Sequence, residues 1–456
     1  MIAWWLIASV LAQAEAPVVS PDEEEEEAVD EYVEKERVDE LEDRLEALER
    51  KLQEAQSRQD FLSKVAVRFS GYLDFGFFWV AGNGSGVRPD TGHTVAPELE
   101  GQLLGSWVLV GDPLSTSINS RGDVADVGDA RAIRFDPVHA GGRPSFLVNA
   151  LNLGMSVTLG DSLSLHALLD FLPRDRDISS PNALGDLFDL KLAFVRYQAT
   201  LGPFAVQLDV GKVDSLLGIE YRNQEAPDRI TVTPSVVCRY TCGRPVGLRG
   251  IARFANKRAE LALALTNGSH QADWFVFQNE QDFNRFKTVT GRVGYRFPLG
   301  RGLELNVNGS IGPQDRQSDD AVLQWHAGVA AQLQAGDFDV VAEAVMGEAQ
   351  GKSDTTRGYE VKCGAAQCLQ YRAAYGLVAY RATSVLQPYV RADFRTSRHR
   401  SGDQFAYIGD VVRATAGVRL MFGLHVIVKA EYTVNHELAG PAFPNDVFTS
   451  SLVVKY

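Results

Sequence analysis

The chain has 456 residues, of which 45% are hydrophobic and 23% charged, a balance typical of folded proteins rather than disordered ones. Its net charge is −14, but 19 of the 59 acidic residues and only 6 of the 45 basic ones lie in residues 1–60. The rest of the chain is nearly neutral, so it lacks the basic surplus of a nucleic-acid-binding protein.

Residues 1–14, MIAWWLIASVLAQA, are predicted to be a signal peptide. They form a short apolar run ending in Ala12-Gln13-Ala14, the small-x-small pattern of a cleavage site. No Lys or Arg precedes the run, and an N-terminal membrane anchor is the alternative. Residues 15–37 are rich in Pro and Glu and predict an acidic linker that cannot bury a core.

Residues 38–63 predict an α-helical coiled coil. Apolar residues follow heptad spacing at Val38, Leu41, Leu45, Leu48, Leu52, Ala55 and Leu62. Arg37–Glu42 and Arg44–Glu49 would then pair between parallel helices. A single exposed helix with pairs within the chain is the alternative. So short a coiled coil is marginal alone, so another part of the protein must hold the partners together.

From Val65 onward the hydrophobic period changes to two, which indicates strands. Sixteen segments alternate in this way: 67–80, 147–159, 162–172, 188–201, 204–212, 247–256, 258–266, 286–297, 303–312, 321–334, 337–348, 370–380, 386–397, 410–421, 424–435 and 447–456. Their lengths suit strands that cross a bilayer at a tilt. Residues 65–456 therefore predict one all-β domain.

The connections between these segments alternate between short and long. Tight turns are predicted at 160–161, 202–203, 256–257, 298–302, 335–336, 381–385 and 422–423, with longer loops between them. This asymmetry is typical of outer-membrane barrels, and closure of the barrel removes exposed sheet edges. We therefore expect a transmembrane antiparallel β-barrel of about 16 strands, with 18 as the alternative. It would lie in the outer membrane of a Gram-negative cell, with the coiled coil in the periplasm.

The two faces of each strand differ. In residues 386–395, Val390, Ala392 and Phe394 oppose Tyr389, Arg391, Asp393 and Arg395. A charge at mid-strand costs about 2–4 kcal/mol against lipid, so the charged face is expected to line a wet interior. Aromatic residues near strand ends, at Phe77, Trp79, Tyr295, Phe297 and Tyr432, would form interfacial girdles. The last strand, with Phe448, Leu452, Val454 and Tyr456 outward, is expected to close against the strand near Val67.

Four cysteines form two close pairs, Cys238/Cys242 in the predicted loop 213–246 and Cys363/Cys368 in the predicted loop 349–369. In an exported protein such pairs favour disulfides that staple loops. A metal site and free thiols are the alternatives. No cofactor is expected.

The stretch VQLDVGKVDSLLGIEYRNQEAPDRITVTPSVVCRYTCGRPVGLRGIARF carries Gly211-Lys212, Gly218-Ile219-Glu220 and Gly247-Leu248-Arg249. It resembles the region of general and phosphate-selective porins in which one strand enters a long loop and another leaves it. The signal peptide, the coiled coil and the final SLVVKY also resemble this superfamily. The resemblance implies a trimeric, water-filled channel for small polar or anionic solutes. It also implies that the final aromatic strand is read by the barrel-assembly machinery.

The same resemblance implies that residues 213–246 fold inward and narrow the channel. Candidates for the constriction are Asp214, Glu220, Arg222, Glu225, Asp228 and Arg229, with Cys238–Cys242 stiffening the return. The facing wall would carry Arg249, Arg253, Arg292, Arg296, Arg391, Arg395, Arg413 and Arg419. Acids opposite arginines would set up a transverse field that favours polar solutes. For each residue, a solvated charge paired with a neighbour is the alternative.

Phosphate specificity is not expected, because few lysines face the interior, Lys429 being the clearest. Arginine binds anions in a bidentate manner, so a mild anion preference is expected. Gating the channel and plugging it are the two alternative roles of the predicted loop 81–146.

Two other functions compete with a channel. Gly160-Asp161-Ser162-Leu163 and Asp136-x-x-His139 spell hydrolase blocks, but in the reverse of that family's order, and Gly160-Asp161 is an obvious hairpin turn. No enzyme activity is therefore expected. The second alternative is a barrel anchor without an open pore, tethered to the cell wall by the linker and coiled coil. Inward Gly, Ser, Thr, Asn and Arg favour an open channel over this anchor.

Overall fold

The computed structural model describes residues 44–45, 47–52, 65–80, 144–171, 188–267, 286–313, 323–350, 367–401, 404–408, 411–438 and 446–456. It divides into two units, Met1–Val65 and Ala66–Tyr456. Residues 44–45 and 47–52 of the first unit are helical, and Leu45, Leu48 and Leu52 among them are exposed. The signal peptide, the acidic linker and the other heptad positions lie outside the described residues, so the coiled coil stays a prediction. Among the described helices, none is long and apolar enough to cross a membrane.

The second unit is built from strands. Those described are β1 Val65–Val80, β2 Ser145–Leu159, β3 Leu163–Phe171, β4 Phe188–Leu201, β5 Phe204–Lys212, β6 Val246–Phe254, β7 Ala259–Thr266, β8 Thr288–Phe297, β9 Leu303–Pro313, β10 Leu323–Ala335, β11 Phe338–Gln350, β12 Gln367–Tyr380, β13 Leu386–Ser401, β14 Gln404–Ile408, β15 Val411–Phe422, β16 Val426–Glu437 and β17 Val447–Lys455. Each predicted strand overlaps one of these, and no boundary differs by more than four residues.

The strands form a closed antiparallel barrel. Neighbours in sequence pair with each other, and β1 pairs with both β2 and β17. The β1–β17 register runs from Tyr72 opposite Lys455 to Val80 opposite Val447. The predicted closure of the last strand against the first is confirmed.

The barrel has sixteen strand positions although the described residues contain seventeen strands. The short β14 pairs with the far end of β13, from Arg398 opposite Ile408. The pairing of β13 then continues with β15, from Arg395 opposite Val411. The segments β14 and β15 thus follow each other along one edge of β13 and share one position. The predicted sixteen-strand barrel is confirmed.

One end of the barrel carries short turns. They lie at 160–162, 202–203, 255–258, 298–302, 336–337, 381–385 and 423–425, as predicted. The segment Gly160-Asp161-Ser162, which spells a hydrolase block, is one of these hairpin turns, with Gly160 at φ +63°. We refer to this end as the short-turn end.

The faces of the strands alternate as predicted. On β13, Val390 and Phe394 are exposed at 58% and 41%, whereas Arg391 and Asp393 are buried. On β7, Leu261, Leu263 and Leu265 are exposed on the outer face. An outer face of large aliphatic side chains is favourable only against an apolar environment, because each side chain left in water costs about 1.5–3 kcal/mol.

Aromatic side chains on the outer face lie near both ends of the strands. At the short-turn end, outward rings form pairs at Phe204–Phe254, Tyr295–Phe297 and Phe338–Tyr380. Towards the other end, Trp79, Phe448 and Tyr432 lie in register on three adjacent strands. Aromatic rings in these positions are typical of the girdles at membrane–water interfaces.

Candidate functional site

The segment between β5 and β6, residues 213–245, lies inside the barrel and is named the inner loop below. Its side chains at Leu217, Ile219, Val236 and Val237 are fully buried, and its main chain hydrogen-bonds to inward-facing side chains of several strands. It contains a 3-10 turn, Glu220–Asn223, and a one-turn helix α1, Cys238–Thr241. The inward fold agrees with the expectation, whereas its role as a constriction stays a prediction.

The backbone requires glycine at two positions of the motifs that carry the porin resemblance, Gly211 and Gly218. Gly211, where β5 runs into the inner loop, has φ +132°, and a Cβ there would collide with the main-chain oxygen of Ala193. Gly218 has φ +69°, and a Cβ there would lie 2.7 Å from the Glu343 carboxylate. Both positions combine a left-handed conformation with close approach of another group, which only glycine tolerates.

A disulfide joins Cys238 and Cys242 and closes the helix α1. The main-chain N–H of Cys242 also donates to the oxygen of Cys238. This pairing agrees with the prediction from spacing.

In the second predicted cysteine pair, the placement of Cys368 in a loop was wrong. Both of its cysteines were expected in the loop before β12, but that strand begins at Gln367, so Cys368 lies in the strand. Gln350 pairs with Gln367 and Ala349 with Leu369, so Cys368 has no partner across the ladder and is the bulged residue. The prediction was wrong because a bulge breaks the period of two that marks a strand. Cys363 lies outside the described residues, so the Cys363–Cys368 disulfide stays a prediction.

Carboxylates on the barrel wall accept hydrogen bonds from the main-chain N–H groups of the inner loop. These bonds run from Ile219 and Glu220 (2.7 Å) to Glu343, from Val232 and Thr233 (both 2.8 Å) to Glu431, and from Val236 (3.1 Å) to Asp393. A buried irregular segment has main-chain donors without secondary-structure partners, and each unpaired donor costs about 1–3 kcal/mol. The wall acids thus make an inner loop of this shape possible.

Cations on the wall donate in the same way to the main-chain oxygens of the inner loop. Lys429 donates to Ala226, Arg229 (2.7 Å) and Thr231 (3.1 Å). Four arginines donate to one main-chain oxygen each: Arg391 to Thr233 (2.6 Å), Arg413 to Pro234 (3.1 Å), Arg419 to Pro227 (2.7 Å) and Arg249 to Asp214 (2.8 Å). Each charge-assisted bond is worth about 1.5–3 kcal/mol. Much of the wall charge is therefore used to hold the loop.

Glu225 is the centre of an ion-pair network at the β1–β4 side of the barrel. Its carboxylate accepts from Tyr72 (2.6 Å) and lies 3.1 Å from Lys191 and 2.6 Å from Arg244. Burial alone would raise the pKa of Glu225, but Lys191 and Arg244 outweigh burial and hold that pKa well below its usual range. Glu225 is therefore ionised over the whole neutral range.

A β-bulge directs Lys191 inward. Leu169 pairs with Leu190 and Leu168 pairs with Leu192, so Lys191 is the extra, bulged residue of β4. Beyond the bulge the even-numbered Arg196 points inward and pairs with Asp209 at 2.8 Å. Unbroken alternation from Arg196 would have placed Lys191 on the outer face.

Four arginines and two glutamates form a second network near the short-turn end of β6–β9. The ion pairs are Arg253–Glu260 (2.8 Å), Arg292–Glu260, Arg296–Glu304 (3.1 Å) and Arg222–Glu304 (2.7 Å). The arginines outnumber the glutamates, and the Arg296 side chain is 61% exposed. This cluster, named the Arg–Glu cluster below, carries more positive than negative charge on the inner face of the barrel.

An apolar patch on the opposite wall packs against the inner loop. Tyr240 stacks on Tyr371 with ring centroids 3.8 Å apart and planes 1° from parallel. Buried residues of the same cluster are Ile219, Val236 and Val237 from the loop and Ala330, Val341, Val345, Ala373, Tyr375, Leu377, Ala379 and Tyr389 from the wall. The inward residues that were expected to favour an open channel, Gly, Ser, Thr, Asn and Arg, leave out the bulky apolar side chains that β11 and β12 carry inward.

The six predicted constriction residues all belong to the inner loop, but their partners differ from a simple transverse pattern. Three of them form ion pairs: Asp214 with Arg244 (3.0 Å), Arg222 with Glu304, and Glu225 with Lys191 and Arg244. Two form hydrogen bonds within the loop, since Glu220 accepts from Ser235 (2.8 Å) and Arg229 donates to the oxygen of Gln224 (2.9 Å). Asp228 lies at the surface of a cavity. Burial raises the pKa of Glu220, while that of Glu225 is lowered, so the loop acids are not electrostatically equivalent.

The eight predicted wall arginines all lie on β6, β8, β13 and β15, and seven of them divide into two groups. Those in contact with the loop backbone are Arg249, Arg391, Arg413 and Arg419, and those in the Arg–Glu cluster are Arg253, Arg292 and Arg296. Arg395 is fully buried. Lys429, the clearest of the few lysines expected to face the interior, donates to the loop backbone.

Sequence reasoning missed the wall acids Glu343 and Glu431, the inward Lys191, and the tyrosines Tyr371 and Tyr375; it placed Asp393 and Tyr389 inward but not their contacts with the loop. One signal was present for the tyrosines. Strand β12 is apolar on both faces, with Tyr375 and Leu377 inward and Val378 and Tyr380 outward. A strand that is apolar on both faces is typically covered on both sides.

The final strand agrees with the predicted outward set. Leu452, Val454 and Tyr456 are exposed, and Phe448 packs against Phe77 on the outer face. Recognition of this strand by the assembly machinery stays a prediction.

Solved structures of other proteins match this architecture, although no family model and no curated protein sequence matches the chain. The outer membrane channel DcaP of Acinetobacter baumannii matches at 10% identity over 86% of this chain and 98% of its own, with a TM-score of 0.52. OmpF of Salmonella typhi, in complex with daunomycin, matches at 12% identity over 86% and 97%, with a TM-score of 0.51. A loop-deletion mutant of OmpT, an outer membrane protein of Vibrio cholerae, matches at 11% over 86% and 100%, with a TM-score of 0.50.

The chain has the fold of outer-membrane porins. At identities of 10–12% this likeness is one of fold alone.

Proposed function

We propose that this protein is an outer-membrane porin of a Gram-negative cell, through which small hydrophilic or ionic solutes diffuse passively. The observation that carries the proposal is the inner loop: a segment of more than thirty residues folded into a closed barrel with a charged inner face. A barrel of sixteen strands is wide enough for an aqueous channel, and an inward segment narrows it to a selective passage.

The Arg–Glu cluster supports a mild anion preference. Four arginines face two glutamates there, and Arg296 and Arg253 are exposed to lumen water at 61% and 35%. Arginine binds carboxylates and phosphates through two parallel hydrogen bonds. Small polar or anionic solutes would therefore pass this mouth more readily than cations.

The outer face supports a lipid environment. Its large aliphatic side chains and its aromatic residues near the strand ends match the apolar band and the girdles of membrane barrels. In this proposal the short-turn end faces the periplasm, where the coiled coil of residues 38–63 would help to hold three copies together. The trimer, the recognition of β17 by assembly machinery and any cell-wall contact of the linker belong to the proposal.

A second function is favoured by one observation. The apolar cluster around Tyr240 and Tyr371 fills part of the lumen, and the loop contacts wall side chains from β1 through to β16. A barrel sealed at this level would be a membrane anchor without an open pore, tethered to the cell wall through its N-terminal segment.

Planar bilayers distinguish the two functions. Full-length wild-type protein and a variant with residues 217–237 replaced by a short Gly/Ser linker are reconstituted separately. A porin shows stepwise conductance in the wild type, in groups of three if it is a trimer, and larger steps in the variant. A sealed anchor conducts only in the variant. If neither form conducts, the channel proposal is wrong.

Reversal potentials in a KCl gradient test the anion preference. Arg296→Gln is expected to shift the reversal potential towards cation preference. Arg258→Gln, which changes an exposed arginine of the 255–258 turn, is the matched control and should shift it less. Equal reversal potentials for wild type and Arg296→Gln would contradict the role of the Arg–Glu cluster.

A further inference from the structure

A cavity of about 500 Å³ lies between the inner loop and the short-turn end of the wall. The loop contributes Asp228 and Ile230, and the wall contributes Arg419 and Met421 from β15. The volume is in the range of about 300–1,000 Å³ that is typical of small-molecule sites. The cavity therefore has the size of a binding site rather than of a packing defect.

The cavity presents opposite charges from different elements. Arg419 donates through a terminal nitrogen to the main-chain oxygen of Pro227 (2.7 Å), while its Nε is buried without a hydrogen-bond partner. One of the five N–H donors of this guanidinium is taken by the loop, and the guanidinium borders the cavity, where a carboxylate can accept from its remaining terminal donors. Arg419 is thus positioned to take a carboxylate.

Asp228 supplies the complementary charge. Its side chain is exposed to the cavity, and enclosure by the barrel together with the nearby Glu225 raises the pKa of its carboxyl. A raised carboxyl pKa means that the ionised form is incompletely compensated by the cations around it. An ammonium group of a ligand would supply the missing compensation.

The remaining charges of the cavity are already engaged with each other. Asp339 accepts from Gln387 (3.0 Å) and lies 3.6 Å from Arg381. The whole lining carries two acids and two arginines, so a ligand of either net charge would meet a like charge. The lining also includes the apolar side chains of Ile230 and Met421.

We propose that this cavity binds small zwitterions of the amino-acid class, with the carboxylate on Arg419, the ammonium on Asp228 and a short aliphatic part against Ile230 and Met421. The inference deepens the proposed channel function, since it names a class of solute and a subsite below the inner loop. It excludes simple carboxylates and simple amines as good ligands, because each would satisfy only one of the two charges.

Equilibrium binding to the full-length protein in detergent tests this assignment, with 4-aminobutanoate as the probe and butanoate and butylammonium as single-charge comparisons. Binding of the probe is expected to be roughly 10- to 100-fold tighter than that of either comparison, the ratio that one charge-assisted hydrogen bond supplies. Equal binding of all three compounds would overturn the proposal, and this comparison does not depend on any variant folding.

Matched variants assign the two contacts. Asp228→Asn and Arg419→Gln should each weaken probe binding roughly 10- to 100-fold. Asp337→Asn and Arg258→Gln, at exposed short-turn positions, should bind like the wild type. Arg419→Lys keeps the charge but loses the planar fork of guanidinium donors, and it should still weaken binding. Unchanged binding in Asp228→Asn and Arg419→Gln would place the ligand elsewhere and overturn the assignment.

Conductance in planar bilayers separates this inference from the channel proposal. A protein that conducts but does not prefer the zwitterion refutes only the subsite. A protein that binds the zwitterion but does not conduct refutes only the channel.

Discussion

The ammonium of Lys429 on β16 lies 2.7 Å from the main-chain oxygen of Arg229 in the inner loop. The same ammonium donates to the oxygens of Ala226 and Thr231, so one wall side chain holds six consecutive residues of the loop. An irregular backbone inside a barrel has to find its hydrogen bonds in the wall. Lys429 therefore acts as an internal support, and this role can be tested apart from any role in transport.

Lys429→Met should loosen the inner loop without unfolding the barrel. The substitution leaves three buried carbonyl groups without their donor, at about 1–3 kcal/mol each, while strand pairing is unaffected. Main-chain hydrogen exchange in residues 226–233, followed by mass spectrometry, should accelerate at least tenfold. Lys257→Met, in the exposed 255–258 turn, is the control. Unchanged exchange in Lys429→Met would show that the loop is held by its other contacts.

The stack of Tyr240 on Tyr371 should make a measurable contribution to loop closure. A stacked aromatic pair is worth about 0.5–1.5 kcal/mol beyond the area that it buries. We expect a coupling of this size in a double-mutant cycle of Tyr240→Leu and Tyr371→Leu, read from the free energy of loop opening in hydrogen exchange. Strictly additive effects of the two substitutions would rule out a specific contribution of the stack.

Acidification should release the inner loop through Glu225. The pKa of Glu225 is lowered in the folded loop, so its pairs stabilise the loop fully above the ordinary value of 4.5 and are lost progressively as the pH falls below it. A pKa that is lower by one in the folded loop corresponds to about 1.4 kcal/mol of loop stability, or a tenfold change in the equilibrium constant for loop opening.

The measurement is loop hydrogen exchange between about pH 7 and pH 3, corrected for the intrinsic exchange rate. Protection should fall on acidification in the wild type, whereas Glu225→Gln should already be less protected at neutral pH and should change less. Asp337→Asn, at the exposed 336–337 turn, should behave like the wild type. A Glu225→Gln variant with the full acid response would assign that response to other carboxyls.

The barrel could be predicted from the sequence because its determinants are local. Alternation along 386–395 alone places Arg391 and Asp393 inward, and the same period in β17 gives the closing strand. Turns such as 202–203 separate the segments without any knowledge of the fold. An alternation with a period of two, interrupted by short polar turns, can be recognised whatever the fold, since the alternation reflects the pleat of the backbone.

The partners of the inner loop could not be predicted, because main-chain hydrogen bonds carry no side-chain signature. Nothing in the residue type of Glu431 says that it accepts from Val232 and Thr233, 199 and 198 positions away. Cys368 was misplaced and Lys191 was missed for a different reason, since each is the extra residue of a bulge that interrupts the alternation. Such contacts depend on how a long irregular segment packs, which no local pattern specifies.

Tyr456→Ser should impair insertion of the protein into the membrane more than it weakens the assembled barrel. In the structure the Tyr456 N–H donates to the oxygen of Gly71 (3.1 Å), and its ring lies on the outer face at 60% exposure. The substitution keeps the main-chain bond but removes the outward aromatic ring that the assembly machinery is expected to read. The amount of heat-modifiable barrel in outer-membrane fractions should fall severalfold, while the unfolding midpoint of the purified, refolded barrel should shift little. Leu424→Ser, at an exposed apolar position of the 423–425 turn, is the matched control. Normal membrane levels of Tyr456→Ser would show that the ring is not part of the assembly signal. Equal losses of stability and of insertion would show that the role of the ring is purely structural.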